Sequence, residues 1–193
     1  MGRILQGGRR EQVLRRLTSH PVAGLNSMHH MYRAVPWYRV VRNVLVIYTA
    51  RFTPWLGVKN WMYRLVGVKV GRGVSVGLAV VLDVFWPELI TLEDNCILGY
   101  NTTVLCHEFL QREYRTGPVV VGQNVMVGAN STILAGTVIG EGATVSAMSL
   151  VNRDVPAGCL AGGIPVRVIR VREEAPGSSD DGRGEGSGER GHS

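Results

Sequence analysis

One histidine stands alone in the long, rhythmic middle of this chain. Between Val68 and Pro156 the only imidazole is His107, in the run Thr103-Val-Leu-Cys-His107-Glu-Phe, and a stretch that breaks the rhythm starts just after it, at Leu110. Imidazole titrates near neutral pH and can take a proton from a hydroxyl, so a lone histidine beside a long loop reads as a general base. The blander reading is a histidine that tolerates a left-handed corner, where this residue type is enriched. Its neighbours narrow the chemistry. Cys106 is not a nucleophile for it, because adjacent residues of an extended strand point to opposite faces. His107-Glu108 is followed by Gln111, where a zinc-protease helix needs its second histidine. Cys96, Cys106 and Cys159 fall outside metal-ligand spacing, and one histidine is too few for a zinc site, so no metal is expected. Asp83 is the carboxylate suited to orienting the imidazole.

The element that must position these groups is a six-residue beat. Apolar residues recur at Val68, Val74, Val80, Trp86, Leu92, Leu98 and Val104, then in a shifted frame at Val121, Val127, Ile133, Ile139, Val145 and Val151. Three places after most of them comes Gly, Asn or Asp, the types that accept positive φ. Hexapeptide periodicity marks a parallel β-helix of short strands and tight corners, with roughly 18 residues closing one coil. The interval from Leu110 to Val121 holds about five residues more than the beat allows, which predicts a loop inserted at 110–118. Counting corners by threes puts Gly71, Leu89, His107, Asn130 and Met148 on one edge of the prism. On the same count Asp83 lies one coil and one side from His107, and reaches it only across a subunit interface.

Charge divides the chain. Residues 1–72 carry thirteen Arg or Lys against the single acid Glu11, while residues 73–171 carry five basic and eight acidic groups. The predicted organisation is a helical N-terminal arm or cap at 1–66, the β-helix at 67–171, and a disordered tail rich in Gly, Ser and charge at 172–193. Val40–Ala50 and Lys59–Val66 read as helices. Their apolar side (Val44, Leu45, Ile47, Tyr48, Trp55, Trp61, Leu65) is expected to cap the first coil, since an open solenoid end exposes core and strand edges. Insertion of that side into a membrane interface is the alternative. The stretch from Val40 to Trp55 is too short and too charged to span a bilayer. An odd number of cysteines and a start without an apolar signal segment point to the cytoplasm, with peripheral membrane contact as the open question.

Residues from about Ile90 to Val171 resemble the hexapeptide-repeat acyltransferases, and most closely the maltose, galactoside and xenobiotic acetyltransferase group. The resemblance is carried by Ile90-Thr-Leu-Glu-Asp-Asn-Cys-Ile-Leu-Gly, Val119-Val-Val-Gly-Gln-Asn-Val-Met-Val-Gly, Val151-Asn-Arg-Asp-Val-Pro and Ala161-Gly-Gly-Ile-Pro-Val-Arg-Val-Ile-Arg. It implies a left-handed parallel β-helix, a homotrimer with sites between subunits, and acetyl-CoA as acyl donor. It places the catalytic histidine at His107. It assigns backbone contacts with the donor to Ala129 and Ala147, and polar or phosphate contacts to Asn152, Arg153 and Arg170. Met126 stands where many relatives have Trp.

The function expected from all this is an O-acetyltransferase that moves an acetyl group to a hydroxyl of a sugar or glycan by direct attack. Glu108, Tyr114 and Arg115 are the expected acceptor contacts. N-acylation, or a non-catalytic trimeric scaffold at a membrane, are the alternatives. Nucleic acid is not an expected partner.

Overall fold

The computed structural model describes residues 10–171. Residues 1–9 and the tail at 172–193, where disorder is expected, lie outside them. Parallel strands of two or three residues stack into three faces. The first face carries Lys69–Val70, Ile90–Leu92, Val119–Val121 and Val138–Ile139. The second carries Ser75–Val76, Ile97–Leu98, Met126–Val127 and Thr144–Val145, and is extended by an antiparallel closing pair, Cys159–Gly162 with Arg167–Val171. The third carries Val81–Leu82, Thr103–Val104, Thr132–Ile133 and Leu150–Val151. The interior is a column of branched side chains, with Leu82, Val104, Ile133 and Val151 stacked in register and fully buried. Each such side chain contributes about 1.5–3 kcal/mol by leaving water.

Corners turn at residues with positive φ. Asn95, Asn101, Asn124 and Asn130 adopt φ of 55–58°. Their side chains also ladder from coil to coil, with Asn95 donating to Asn124 at 2.8 Å and Asn101 to Asn130 at 3.0 Å. Asn tolerates this conformation because its short polar side chain finds such local partners.

The register corrects the count read from the sequence. Val81 pairs with Thr103 and Leu82 with Val104, so the first coil takes 22 residues. Four extra residues sit around 84–89, where Trp86 only mimics a beat position. The residues stacked on Leu92, Leu98 and Val104 are therefore Val70, Val76 and Leu82, two places after Val68, Val74 and Val80, which are themselves buried. The next coil, from Ile90 to Val119, takes 29 residues. Its excursion is thus eleven residues longer than a coil of 18, and it begins before Leu110. The expected edge of Gly71, Leu89, His107, Asn130 and Met148 dissolves: Asn130 and Met148 turn the chain from the second face to the third, whereas His107 lies between the third and the first.

The arm is helical at α1 (Arg10–Arg15), α2 (Met31–Ala34), α3 (Trp37–Phe52) and α4 (Leu56–Leu65). It also contributes a strand absent from the sequence reading, Thr18–Pro21. α3 and α4 cap the first coil, but of the expected apolar side only Ile47 is fully buried. Leu45, Tyr48, Trp55, Trp61 and Leu65 are exposed, and the buried residues are Asn43, Ile47 and Ala50 of α3 and Lys59, Asn60 and Tyr63 of α4. The end of a β-helix presents carbonyl oxygens as well as core, so polar side chains face it. Asn43 donates to Val84 O at 2.8 Å, Asn60 to Val74 O at 2.8 Å, and Lys59 to Val76 O and Gly77 O at 3.1 and 2.9 Å. No helix among the described residues is long and apolar enough to cross a membrane.

Candidate active site

Both excursions leave the prism at the same corner, between the third face and the first, in successive coils. The upper one forms a hairpin of His107–Phe109 with Glu113–Thr116, and Thr18–Pro21 of the arm joins its outer edge. Because the first coil is 22 residues long, Asp83 lies beneath Leu105, two residues short of His107. The two side chains meet within a single chain. His107 Nδ1 is 2.5 Å from Asp83 Oδ2, which corrects the expectation that only a neighbouring subunit could bring them together.

Asp83 is a saturated acceptor. Its Oδ2 also receives Cys106 N at 2.7 Å, and its Oδ1 receives Phe85 N at 2.8 Å and Trp86 N at 3.1 Å. The carboxylate side chain is fully buried. Burial opposes its ionisation, but the hydrogen bond and charge of His107, with the Cys106 and Trp86 amides, outweigh it and hold its pKa below the ordinary carboxylate value. An ionised Asp83 only accepts, so Nδ1 carries a proton, and in the neutral imidazole Nε2 is then the nitrogen with the lone pair. Nε2 makes no hydrogen bond within the described residues. Burial, and then the Asp83 charge, push the Cys106 thiol far above its ordinary value, so it is not a thiolate.

Aromatic rings enclose the imidazole. Phe85, Trp86 and Phe109 stand 5.2, 5.3 and 4.8 Å from it between centroids. Trp86 stacks on Tyr114 at 5.9 Å, and Tyr114 stacks on His20 at 4.5 Å. His107 pairs across the hairpin with Thr116, and Phe109 with Tyr114, so Tyr114 shares the imidazole's side of the hairpin. Glu108 pairs with Arg115 in the alternate register and belongs to the opposite side. Arg115 forms an ion pair with Glu113, which also accepts from Ser19. Behind Tyr114 opens a cavity of about 350 Å³ whose wall includes His20, His30 and Arg33 of the arm. Those three residues lie far from the repeat and carry no periodic signal, so only the pairing of Thr18–Pro21 with the hairpin reveals them.

The remaining predicted residues fall into two places. Ala129 and Ala147 occupy the corner between the second and third faces, where their N–H groups have no partner among the described residues. Bare neighbours keep this corner tight: a Cβ on Gly99 would stand 2.7 Å from Ala129 N, and one on Gly128 would collide with Ala147 N. Asn152 and Arg153 occupy the same corner as His107, two coils on. Asn152 Oδ1 and Arg153 Nε are buried without a protein partner. Arg170 is exposed on the closing pair, opposite Leu160, and Met126 is exposed on the second face. One chain brings Asp83, His107 and Tyr114 together, and leaves Ala129 and Ala147 a face away. No cluster of three or more metal-binding side chains occurs among the described residues.

Residues 118–153 match the bacterial transferase hexapeptide (six repeats) family. YvoF of Bacillus subtilis (strain 168), provisionally named an acetyltransferase, is 51% identical over 162 residues, covering 83% of this chain and 94% of its own. The chain belongs to the hexapeptide-repeat acetyltransferase family. A more distant member, the galactoside O-acetyltransferase of Escherichia coli (strain K12), is 33% identical over 130 residues, 60% of this chain and 62% of that protein. Among solved structures, the Vibrio cholerae hexapeptide-repeat acetyltransferase complexed with acetyl coenzyme A superposes with a TM-score of 0.59 at 22% identity, covering 72% of this chain and 89% of that one. A galactoside acetyltransferase in complex with coenzyme A gives 0.57 at 21%, covering 77% and 92%. These two likenesses establish the shared fold.

Proposed function

We propose that this acetyltransferase moves an acetyl group from acetyl-CoA to a hydroxyl of a sugar or glycan, as a homotrimer, with His107 as general base and no acyl-enzyme. The observation that carries the reading is the His107–Asp83 pair, which leaves a proton-accepting nitrogen at the mouth of an aromatic enclosure. Nε2 takes the hydroxyl proton as the acceptor oxygen bonds to the thioester carbonyl carbon. The carbon–sulfur bond then breaks, coenzyme A departs as thiolate, and the proton held at Nε2 returns to it. Backbone N–H groups at the corners suit the developing oxyanion, a contribution of about 2.7–4 kcal/mol per donor. Asp83, kept ionised, holds the ring's tautomer and balances the imidazolium.

The donor fits groups this chain leaves unpaired. The amides of Ala129 and Ala147 can bond a pantetheine arm, and Asn152, Arg153 and Arg170 can meet amide and phosphate oxygens. Since the first pair lies one face from His107, a neighbouring subunit completes the site in this reading. On the acceptor side Tyr114, its ring held between Trp86 and His20, offers a sugar its edge and hydroxyl, and the cavity beyond it extends the pocket. Glu108 and Arg115 face the other side of the hairpin from that pocket. One relative is named a galactoside O-acetyltransferase, which supports a sugar as the acceptor class. Three free, buried cysteines support a cytoplasmic setting.

Calorimetry of acetyl-CoA with the wild type and Arg170→Ala tests the reading without knowledge of the acceptor. Binding weakened by the substitution is expected. An absence of binding to any acyl-CoA overturns it.

A further inference from the structure

The two capping helices expose an apolar arc as well as burying one. Along α3 the exposed residues Trp37, Val41, Leu45, Tyr48 and Phe52 fall within roughly 80° of arc at about 100° per residue. Along α4 Val58, Trp61 and Leu65 are exposed at spacings of three and four. The sides turned towards the β-helix carry Ile47, Ala50 and Tyr63 into the core, together with Asn43, Arg51, Lys59 and Asn60, which donate to carbonyls of the first coil and its loop. Both apolar arcs therefore point away from the same end of the prism. The turn between the helices adds Trp55, which is 70% exposed, and Trp37 and Trp61 are 65% and 58% exposed. A large exposed apolar patch on a folded domain marks a surface that something covers.

We infer that this end of the molecule lies in the interfacial layer of an anionic lipid bilayer, with the α3 and α4 axes near the membrane plane. Charge selects this occupant. From Arg33 to Arg72 there are eight basic residues and no acid; the next acid along the chain is Asp83. Of these, Arg39 and Arg72 are ion-paired with Glu88 and Asp94 and Lys59 is buried, while Arg42 and Arg64 are exposed beside the two apolar arcs. A second copy docked on the same face would bring Arg42 and Arg64 against their own kind, and neither has an acid partner among the described residues. Anionic headgroups supply the missing charge, at about 1 kcal/mol per Arg or Lys near the surface. Trp and Tyr are the side chains that settle at the boundary between headgroups and acyl chains. Neither helix is long or apolar enough to span, so the protein lies on the bilayer.

The test is co-sedimentation of the full chain with phosphatidylcholine vesicles, with and without about 30% phosphatidylglycerol. Wild type is expected to bind the anionic vesicles and to lose them as salt is raised. Leu45→Ser with Trp61→Ser, both at exposed positions, should weaken binding about tenfold or more while melting temperature and acetyl-CoA affinity stay unchanged. The unchanged donor affinity separates this claim from the proposed reaction. Vesicle binding that is absent, or that ignores both substitutions, overturns the inference. So does self-association of the wild type that the same substitutions abolish without any lipid binding, which assigns the face to a second copy.

Discussion

Asp83→Asn is the perturbation that separates a working His–Asp pair from a structural one. The substitution keeps the shape but removes the charge. Asp83 receives four donors, from Phe85, Trp86, Cys106 and His107. A carboxamide can turn its oxygen to only one pair of them, and its NH2 then faces the other pair. Losing a hydrogen bond to a charged group costs roughly 1.5–3 kcal/mol, which converts to about a ten- to hundredfold fall in kcat/KM. If NH2 faces His107 the ring must present Nδ1 as acceptor, leaving Nε2 protonated and unable to act as base. The assay is release of the coenzyme A thiol in acetyl-CoA turnover, followed with a thiol-reactive dye between pH 5.5 and about 8.5, a range that spans imidazole titration. The protein's own thiols are silent there, because all three are buried. The variant is expected to show a lower rate across the range and an altered pH profile, with acetyl-CoA affinity retained. A variant with unchanged kcat/KM and pH profile refutes the pairing as a catalytic device. Stability carries its own signature. The folded state holds Asp83 below its ordinary pKa, so its stabilisation is complete above the ordinary carboxylate range and disappears as pH falls through that range to the folded value. Wild type should therefore lose its melting advantage over Asp83→Asn on acidification.

Other outcomes follow from the same geometry. Lys59→Met should lower the unfolding free energy by roughly 1–3 kcal/mol for each carbonyl left without a donor, Val76 O and Gly77 O, read by denaturant titration. Gly128→Ala should fail to reach wild-type stability or donor affinity, since its Cβ meets the Ala147 backbone; calorimetry and thermal melting together check this. Cys96, whose thiol burial pushes up to about 11, should resist alkylation at pH 8 in the native protein and react when it is unfolded. Arg153→Ala should weaken acetyl-CoA binding with little loss of stability, because Arg153 Nε makes no protein hydrogen bond.

The β-helix is legible from the beat because inward side chains and positive-φ corners recur whatever the loops do. Its register is not. Trp86 sits at a beat position by coincidence and hides the four residues inserted around 84–89, so the coil length that brings Asp83 under His107 cannot be counted. His107 itself was legible, as the one imidazole in the repeat beside a break in it. The His20–Tyr114 stack was not, because Thr18–Pro21 is four residues without alternation and pairs with a hairpin more than ninety residues away. The cap misled for a physical reason. Apolar spacing on a helix normally marks the buried side, whereas a solenoid end offers carbonyl oxygens that reward Asn43, Lys59 and Asn60 with hydrogen bonds.

The most direct measurement of the central claim is acetyl transfer by His107→Ala against wild type, with the acetylated product from a panel of sugars identified by mass spectrometry. General-base catalysis predicts a fall of about 10²–10⁴-fold with acetyl-CoA affinity kept. Transfer at the wild-type rate without the imidazole would contradict the account.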